Sequence, residues 1–476
     1  MRAKIFAEEN RRWWTLGALC FALFMIMLDN TVVNVALPAI RADLGISVSE
    51  LEWTVAAYAL TFASLLLTGG KLGDLLGRRK IFIIGLTVFT LSSLACGLSS
   101  SATQLISARA VQGIGAALMM PATLSIISAT FHARERGMAI GIWAGVSAMA
   151  LAIGPLLGGV ITEHISWNWI FYVNVPIGVL AVLAAIFVVP ESRDTSHEQR
   201  LDLPGLLTSG IGLFALVYAL IEANNYGWTS ARIIGLFLVA AVALTAFVLL
   251  EQHQRLPLLD LSLFRNGTFA GANLVAILVT LAMFGIFVFF PIYMQTFRGW
   301  SPIQAGAALL PWTLMVVVFA PIAGKLSDRV GSRWLMAGGM SVVAVCCLLL
   351  STVTLQSSFW NMLPAFILGG VGMSFVMTPM SAAAMGAAPV DKAGVASGVL
   401  NTFRQVGVAL GIGIMGAIIA NRAASHGGPA PEAFVYGLTF GMKVSAAICF
   451  AAAVAAATLV RRYRHADAST PVEAAA

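Results

Sequence analysis

The sequence predicts an all-α polytopic membrane protein with fourteen transmembrane helices. Three observations predict it. Of 476 residues, 59% are hydrophobic and 10% charged, whereas soluble domains carry about 25% charged residues. The apolar residues gather in runs of roughly 20, the length a helix needs to cross a bilayer. Lys and Arg sit in short segments between those runs, mostly on alternate sides, as the positive-inside rule requires. The same observations exclude other classes. Disorder needs low hydrophobicity. The formal charge of +7 is scattered over short loops, so no nucleic-acid partner is expected. Cys20, Cys96, Cys346, Cys347 and Cys449 all fall in apolar runs, which indicates no disulfide framework.

In chain order, the predicted spans lie near 13–38, 51–71, 81–99, 103–125, 137–160, 168–190, 203–222 and 232–251. Six more follow near 267–292, 303–324, 334–353, 358–380, 393–420 and 437–460. The first follows Arg2, Lys4, Arg11 and Arg12, but its long apolar stretch holds Asp29 and no small-residue cleavage site. It therefore reads as a retained helix and not a signal peptide. With the N-terminus inside, 21 of the 28 Lys and Arg fall on the cytoplasmic side and five outside. Arg109 and Arg404 lie within spans. That bias fits an even helix number with both termini cytoplasmic.

Two parts of the chain repeat at a nearly fixed offset. Gly70-Lys-Leu-Gly-Asp74-Leu-Leu-Gly77-Arg78-Arg79 returns as Gly324-Lys-Leu-Ser-Asp328-Arg-Val-Gly331-Ser-Arg333, 254 residues on. Pro38 and Pro291 are 253 apart, and Gly137-Met-Ala-Ile-Gly141 matches Gly394-Val-Ala-Ser-Gly398 at 257. A six-helix unit with loops needs roughly 190 residues. The surplus of about 60 matches two extra helices. The expected organisation is a six-helix bundle over 1–195, two inserted helices and a linker over 196–260, a second bundle over 261–464 and a cytoplasmic tail over 465–476.

Several segments are similar to motifs of one family. Gly70 to Lys80 resembles the signature loop between helices two and three of the major facilitator superfamily, and Gly324 to Arg333 its weaker copy. Leu28 to Pro38 resembles the first-helix motif of its drug:proton antiporters. Leu105-x3-Arg109-x2-Gln112-Gly113 resembles their fourth-helix motif. Gly154-Pro155-Leu-Leu-Gly158-Gly159 resembles the fifth-helix antiporter motif, with Ala150 where that pattern begins with Gly. Trp167 to Gly178 is similar to a motif of the 14-helix subgroup. On these residues the chain is identified as a member of the EmrB/QacA-type 14-helix drug:proton antiporters. The resemblance implies a major facilitator fold and proton-coupled efflux by alternating access. It credits Arg109 with proton transfer and assigns a conformational latch to Gly70, Asp74, Gly77, Arg78, Arg79 and Asp328.

Asp29 is the one acid placed well inside a predicted span, and such a charge costs about 2.5–3.5 kcal/mol on insertion scales unless it faces a partner or cavity. It either exchanges a proton or forms a permanent ion pair. Arg109 cannot lose its proton, so it either tunes Asp29 or is satisfied by backbone carbonyls of helix one. Arg404 either attracts an anionic substrate group or pairs across the interface between halves. Gly154 and Pro155 could bend their helix, while Gly158 and Gly159 permit close packing. Acids in the signature loop complement helix N-termini.

Phe24, Met25, Met119, Trp143, Phe287, Trp312 and Met377 are soft or aromatic candidates for a substrate cavity, each equally readable as lipid-facing. The leading function is export of hydrophobic or amphipathic drugs against protons. Export of one endogenous lipid or metabolite is the alternative within transport. A membrane enzyme or receptor is disfavoured, because no convergent His, Asp and Ser set and no sizeable soluble domain appear. No metal-ligand spacing or nucleotide-binding loop is found, so the expectation is no cofactor and a proton gradient as energy source. The expected partners are small drugs, protons and the bilayer of a bacterial cytoplasmic membrane, with a periplasmic adaptor in a double-membrane cell.

Overall fold

A computed structural model describes residues 8–46, 48–193, 202–254, 257–300, 302–389, 392–426 and 429–461. The predicted tail over 465–476 and the first residues of the insert lie outside them. Among the described residues there are no strands. The first repeat runs as α1 (Glu8–Leu44), α2 (Val48–Leu76), α3 (Arg78–Gly97), α4 (Ala102–Thr130), α5 (Ala133–His164), a single turn α6 (Trp169–Tyr172) and α7 (Asn174–Val188). Next come α8 (Leu203–Tyr226) and α9 (Ala231–His253). A 3-10 turn at Leu261–Arg265 leads into α10 (Gly267–Ile292), which ends in a π turn at Tyr293–Phe297. The chain continues through α11 (Pro302–Ala308), α12 (Leu310–Val330), α13 (Ser332–Leu350), α14 (Phe359–Ala387), α15 (Ala393–His426) and α16 (Ala430–Leu459).

Thirteen stretches among the described residues are long and apolar enough to cross a membrane. They coincide with thirteen of the predicted spans. The other predicted span, 137–160, lies inside α5, a helix of 32 residues. Several helices overrun their predicted ends, which moves charges from loops into helices. Asp74 and Asp328, both beyond their predicted spans, stand in a last helical turn, and so does Glu251, the final residue of the predicted span 232–251. Asp29 is therefore joined by other buried acids, Asp74, Glu222 and Glu251 among them, but these lie towards helix ends.

Local chemistry fixes the helix starts. Ser101, Asp202, Ser230 and Asn266 each cap a helix by accepting from a backbone N–H in its first turn, satisfying donors that the helix itself cannot. The turns after α2 and α12 pass through Gly77 (φ 110°) and Gly331 (φ 86°), positions where a side chain would be strained. Outward-facing side chains are apolar, as at Phe187, Leu238 and Val242, where lipid replaces water and backbone groups must be satisfied within helices.

The two repeats meet through two equivalent helix crossings. A Cβ on Gly70 of α2 would lie 2.3 Å from the carbonyl oxygen of Gly394 of α15. One on Gly324 of α12 would lie 2.1 Å from the carbonyl oxygen of Gly137 of α5. Small residues let these backbones touch. Both crossings sit at the end of the molecule that carries the Gly77 and Gly331 turns.

Candidate functional site

Asp29, Arg109, Gln112 and Asn174 form one buried polar network in the first repeat. Arg109 Nη1 donates to Asp29 Oδ2 at 2.6 Å and to Gln112 Oε1 at 2.7 Å. Gln112 Nε2 and Asn174 Nδ2 each donate to Asp29 Oδ1 at 3.0 Å. Arg109 Nε reaches the Thr54 carbonyl at 3.2 Å, and the guanidinium lies 4.4 Å from the centre of the Tyr58 ring. Asp29 and Arg109 are each 1% exposed.

Helices α1, α2, α4 and α7 all contribute. Arg109 and Gln112 are three apart on α4 and so share a face. Asn174 is delivered by the break between α6 and α7, and it also donates to Ser93 Oγ at 3.1 Å. A buried ion pair is tolerable when its remaining hydrogen-bonding capacity is filled, and here Asp29 accepts three hydrogen bonds. Arg109 binds both the acid and a backbone carbonyl, that of helix α2. The sequence placed Gln112 and Asn174 in motifs without giving them roles; an amide inside an apolar run was the available signal.

At the interface, the two signature-loop acids each hold backbone N–H groups of the other repeat: Asp74 caps the first turn of α15, and Asp328 caps α5 one turn further in. Asp74 accepts from the backbone N–H of Gly394 at 2.9 Å and of Val395 at 2.8 Å. Asp328 accepts from the N–H of Gly137 at 3.0 Å and of Met138 at 3.2 Å. The first-turn N–H groups of α15 are free to bind the Asp74 carboxylate, which the helix dipole favours, whereas Gly137 and Met138 lie in the second turn of α5. Asp74 is also bonded by Arg78, at 2.7 Å and 2.9 Å, with both side chains almost fully buried. Arg79 turns elsewhere: its guanidinium donates to the Ile186 carbonyl at 2.6 Å. Glu191, which the sequence did not single out, accepts from the N–H of Arg79 and Lys80 and so caps α3.

The remaining candidates divide. Gly154 and Gly158 face α1: a Cβ on Gly154 would lie 1.7 Å from Thr31 Oγ1, and one on Gly158 3.1 Å from the Val32 carbonyl. Gly159 meets nothing within 4 Å, so close packing does not require it. The Pro155 side chain lies outside the described residues. Met25 and Met119 are fully buried in the hydrophobic core and line no open space in this conformation. Trp143 is buried too, donating to Thr123 Oγ1 at 3.1 Å. Phe24, Phe287 and Met377 are half-buried. Trp312 packs edge-on to Phe287 with ring centres 5.4 Å apart. Arg404 forms no ion pair among the described residues, and its Nη1 is buried without a hydrogen-bond partner.

Comparison with known proteins decides the family. Residues 19–412 match the family described as the Major Facilitator Superfamily. The chain belongs to the major facilitator superfamily. It is 37% identical over 470 residues to the puromycin resistance protein pur8 of Streptomyces alboniger, covering 97% of this chain and 93% of that one. It is 37% identical to the multidrug resistance protein Stp of Mycobacterium tuberculosis over 85% of this chain and 75% of that one. The solved structure of the proton:xylose symporter XylE superposes with a TM-score of 0.70 at 14% identity, over 96% of this chain and 97% of that one. Membership of this superfamily makes the chain a multi-pass membrane transporter and not an enzyme.

Proposed function

We propose that this major facilitator exports hydrophobic and amphipathic compounds in exchange for protons, with Asp29 as the proton-carrying group. The single observation that carries the reading is the Asp29–Arg109–Gln112–Asn174 network. It holds one titratable group against one fixed cation, deep in the helices and away from both ends. Protonation of Asp29 cancels its attraction to Arg109, while the amides and the Thr54 carbonyl keep hydrogen bonds available to both partners. The energy released or required can then move α1 against α4. The drug class is supported by relatives named for resistance to puromycin, tetracenomycin C and methylenomycin A.

In this reading the chain is organised as six helices, two inserted helices and six helices, with α5 as the fourteenth crossing. The Lys- and Arg-rich loops face the cytoplasm of a bacterial cell. The Asp74 and Asp328 caps close that end, and they must open for a substrate to enter from inside. Half-buried Phe24, Phe287 and Met377 remain the soft cavity candidates. Arg404, unpaired across the interface in this conformation, is read as a counter-charge for acidic substrate groups.

The test is Asp29→Asn in inverted vesicles, which keeps size and hydrogen bonding but cannot titrate. Proton-driven uptake of a neutral hydrophobic dye should collapse, while equilibrium binding of the same dye survives. Uptake against a gradient by the variant would remove Asp29 from the coupling role.

A further inference from the structure

The base of the inserted helix pair holds two carboxylates that belong neither to the Asp29 network nor to the interface caps. Asp202 precedes α8 and Glu251 lies in the last turn of α9; they are 5% and 4% exposed. Each uses one oxygen structurally. Asp202 Oδ1 accepts from the N–H of Gly205 at 2.9 Å and from Gln254 Nε2 at 2.7 Å. Glu251 Oε2 accepts from the N–H of Leu259 at 2.9 Å. The other two oxygens, Asp202 Oδ2 and Glu251 Oε1, are buried with no hydrogen-bond partner among the described residues. They converge on one spot: a Cβ built on Gly205 would lie 2.3 Å from the first and 2.4 Å from the second.

Two ionised carboxylates cannot share such a place cheaply. Each oxygen is an acceptor only, burial without a donor is costly, and like charges at short range repel. One proton removes both difficulties, cancelling a charge and supplying the missing donor. Among the described residues the surrounding charges do not replace it. Lys71 of α2 is a cation near enough to act on Glu251, yet its ammonium donates to the Pro257 carbonyl at 2.8 Å and leaves both inner oxygens unpartnered. His253 is bonded to the Leu249 carbonyl of its own helix, and Asp260 is paired with Lys392. A divalent cation would need about six or more oxygen ligands, and no group of three or more candidate ligands occurs among the described residues.

We infer that Asp202 and Glu251 bind one proton between them, forming a second proton site that fastens the inserted helices to the 257–260 segment. The site reaches the transport machinery through Lys71, which bridges that segment to α2 next to Gly70 and Asp74. Losing the proton places two charges in a dry site and draws Lys71 from Pro257 towards them, loosening this fastening beside the Asp74 cap. The inserted pair thereby senses the pH on that side of the membrane, independently of whether Asp29 carries the transported proton.

Infrared difference spectra of the purified full-length protein in lipid nanodiscs, recorded between acid and alkaline pH, test the site directly. The wild type should lose a protonated-carboxyl C=O band as pH rises, and Glu251→Gln should lack that component. Asp202→Asn, which retains capping ability, should abolish or shift the same component, so the test stands if one variant fails to fold. A spectrum unchanged by both substitutions overturns the shared proton. So does loss of the band on adding sodium or calcium at constant pH, which would make the ligand a metal cation.

Discussion

The fourth helix of each repeat crosses the second in the same way, yet only one crossing is charged. A Cβ on Gly113 would lie 2.5 Å from the Tyr58 carbonyl oxygen, and one on Gly370 would lie 2.3 Å from that of Trp312. The offset of 257 that relates those glycines carries Arg109 onto Phe366, and the offset of 253 that relates Pro38 to Pro291 carries Asp29 onto Ala282. Where Arg109 lies over Tyr58, Phe366 packs edge-on to Phe290 with ring centres 6.2 Å apart. Where Asn174 bonds the Asp29 carboxylate, Ser445 donates to the Ala282 carbonyl at 3.2 Å. The second repeat thus shows that this helix packing needs no charge. What is duplicated, the interface caps, is mechanical; what is not duplicated, the ion pair, is chemical.

The sharpest way to break that contrast is to make the first repeat resemble the second. Arg109→Phe alone leaves Asp29 buried without its cation and should cost about 3–5 kcal/mol, read as lost folded yield and a lower unfolding temperature. Asp29→Ala combined with Arg109→Phe should recover most of that stability and still show no proton-driven uptake. Retained uphill export by the double variant would mean the charges serve packing after all.

The interface caps predict a smaller and graded effect. Asp74 and Asp328 each accept two backbone N–H groups of the opposite repeat, but only Asp74 also neutralises a buried Arg78. Hydrogen bonds to charged groups are worth about 1.5–3 kcal/mol. Asp74→Asn should therefore slow transport several-fold more than Asp328→Asn. Equal effects would remove the role given to Arg78. Steric versions of the test are Gly70→Ala and Gly324→Ala, which force each backbone contact apart for about 1–3 kcal/mol. Gly159→Ala, facing open space, is the control.

How much of this the sequence disclosed follows the same division. The spans, the repeat, Asp29 and Arg109 were legible because each is written in local composition or in one motif. Which N–H groups Asp74 and Asp328 meet was not, because each partner is supplied by a helix crossing from the other repeat. The matched segments Gly137–Gly141 and Gly394–Gly398 were visible, but their contact with the acids was not. Asp202 and Glu251 were missed because span prediction ends where charges begin, whereas α8 and α9 bury theirs at the ends. Met25 and Met119 were read as cavity candidates from residue type, and packing density placed them in the core.

The smallest expected effect concerns an ion pair that is duplicated with its signs exchanged. Beside the Asp328 cap, Arg12 of α1 meets Glu135 of α5 at 2.5 Å; beside the Asp74 cap, Asp260 meets Lys392 at 2.6 Å. The offset of 257 carries Glu135 onto Lys392, so both pairs tie the approach to a repeat's first helix to the start of its fifth. These side chains are 24–35% exposed, and such pairs are worth up to about 1 kcal/mol. Partial burial would raise the Asp260 carboxyl, but its bonds from Lys392 and Ser262 prevail and pull it down to about 2 from 3.8. A depressed acid stabilises the fold above its unfolded value and loses that contribution as pH falls through about 2. A double-mutant cycle on Asp260→Asn and Lys392→Gln should therefore give the same small coupling at pH 7 and at about pH 5. Exchanging the pair as Asp260→Lys with Lys392→Glu should retain that coupling, since the first repeat already uses the opposite polarity. A coupling that is absent at neutral pH, or that disappears by about pH 5, would show that the two pairs resemble each other in position and not in work.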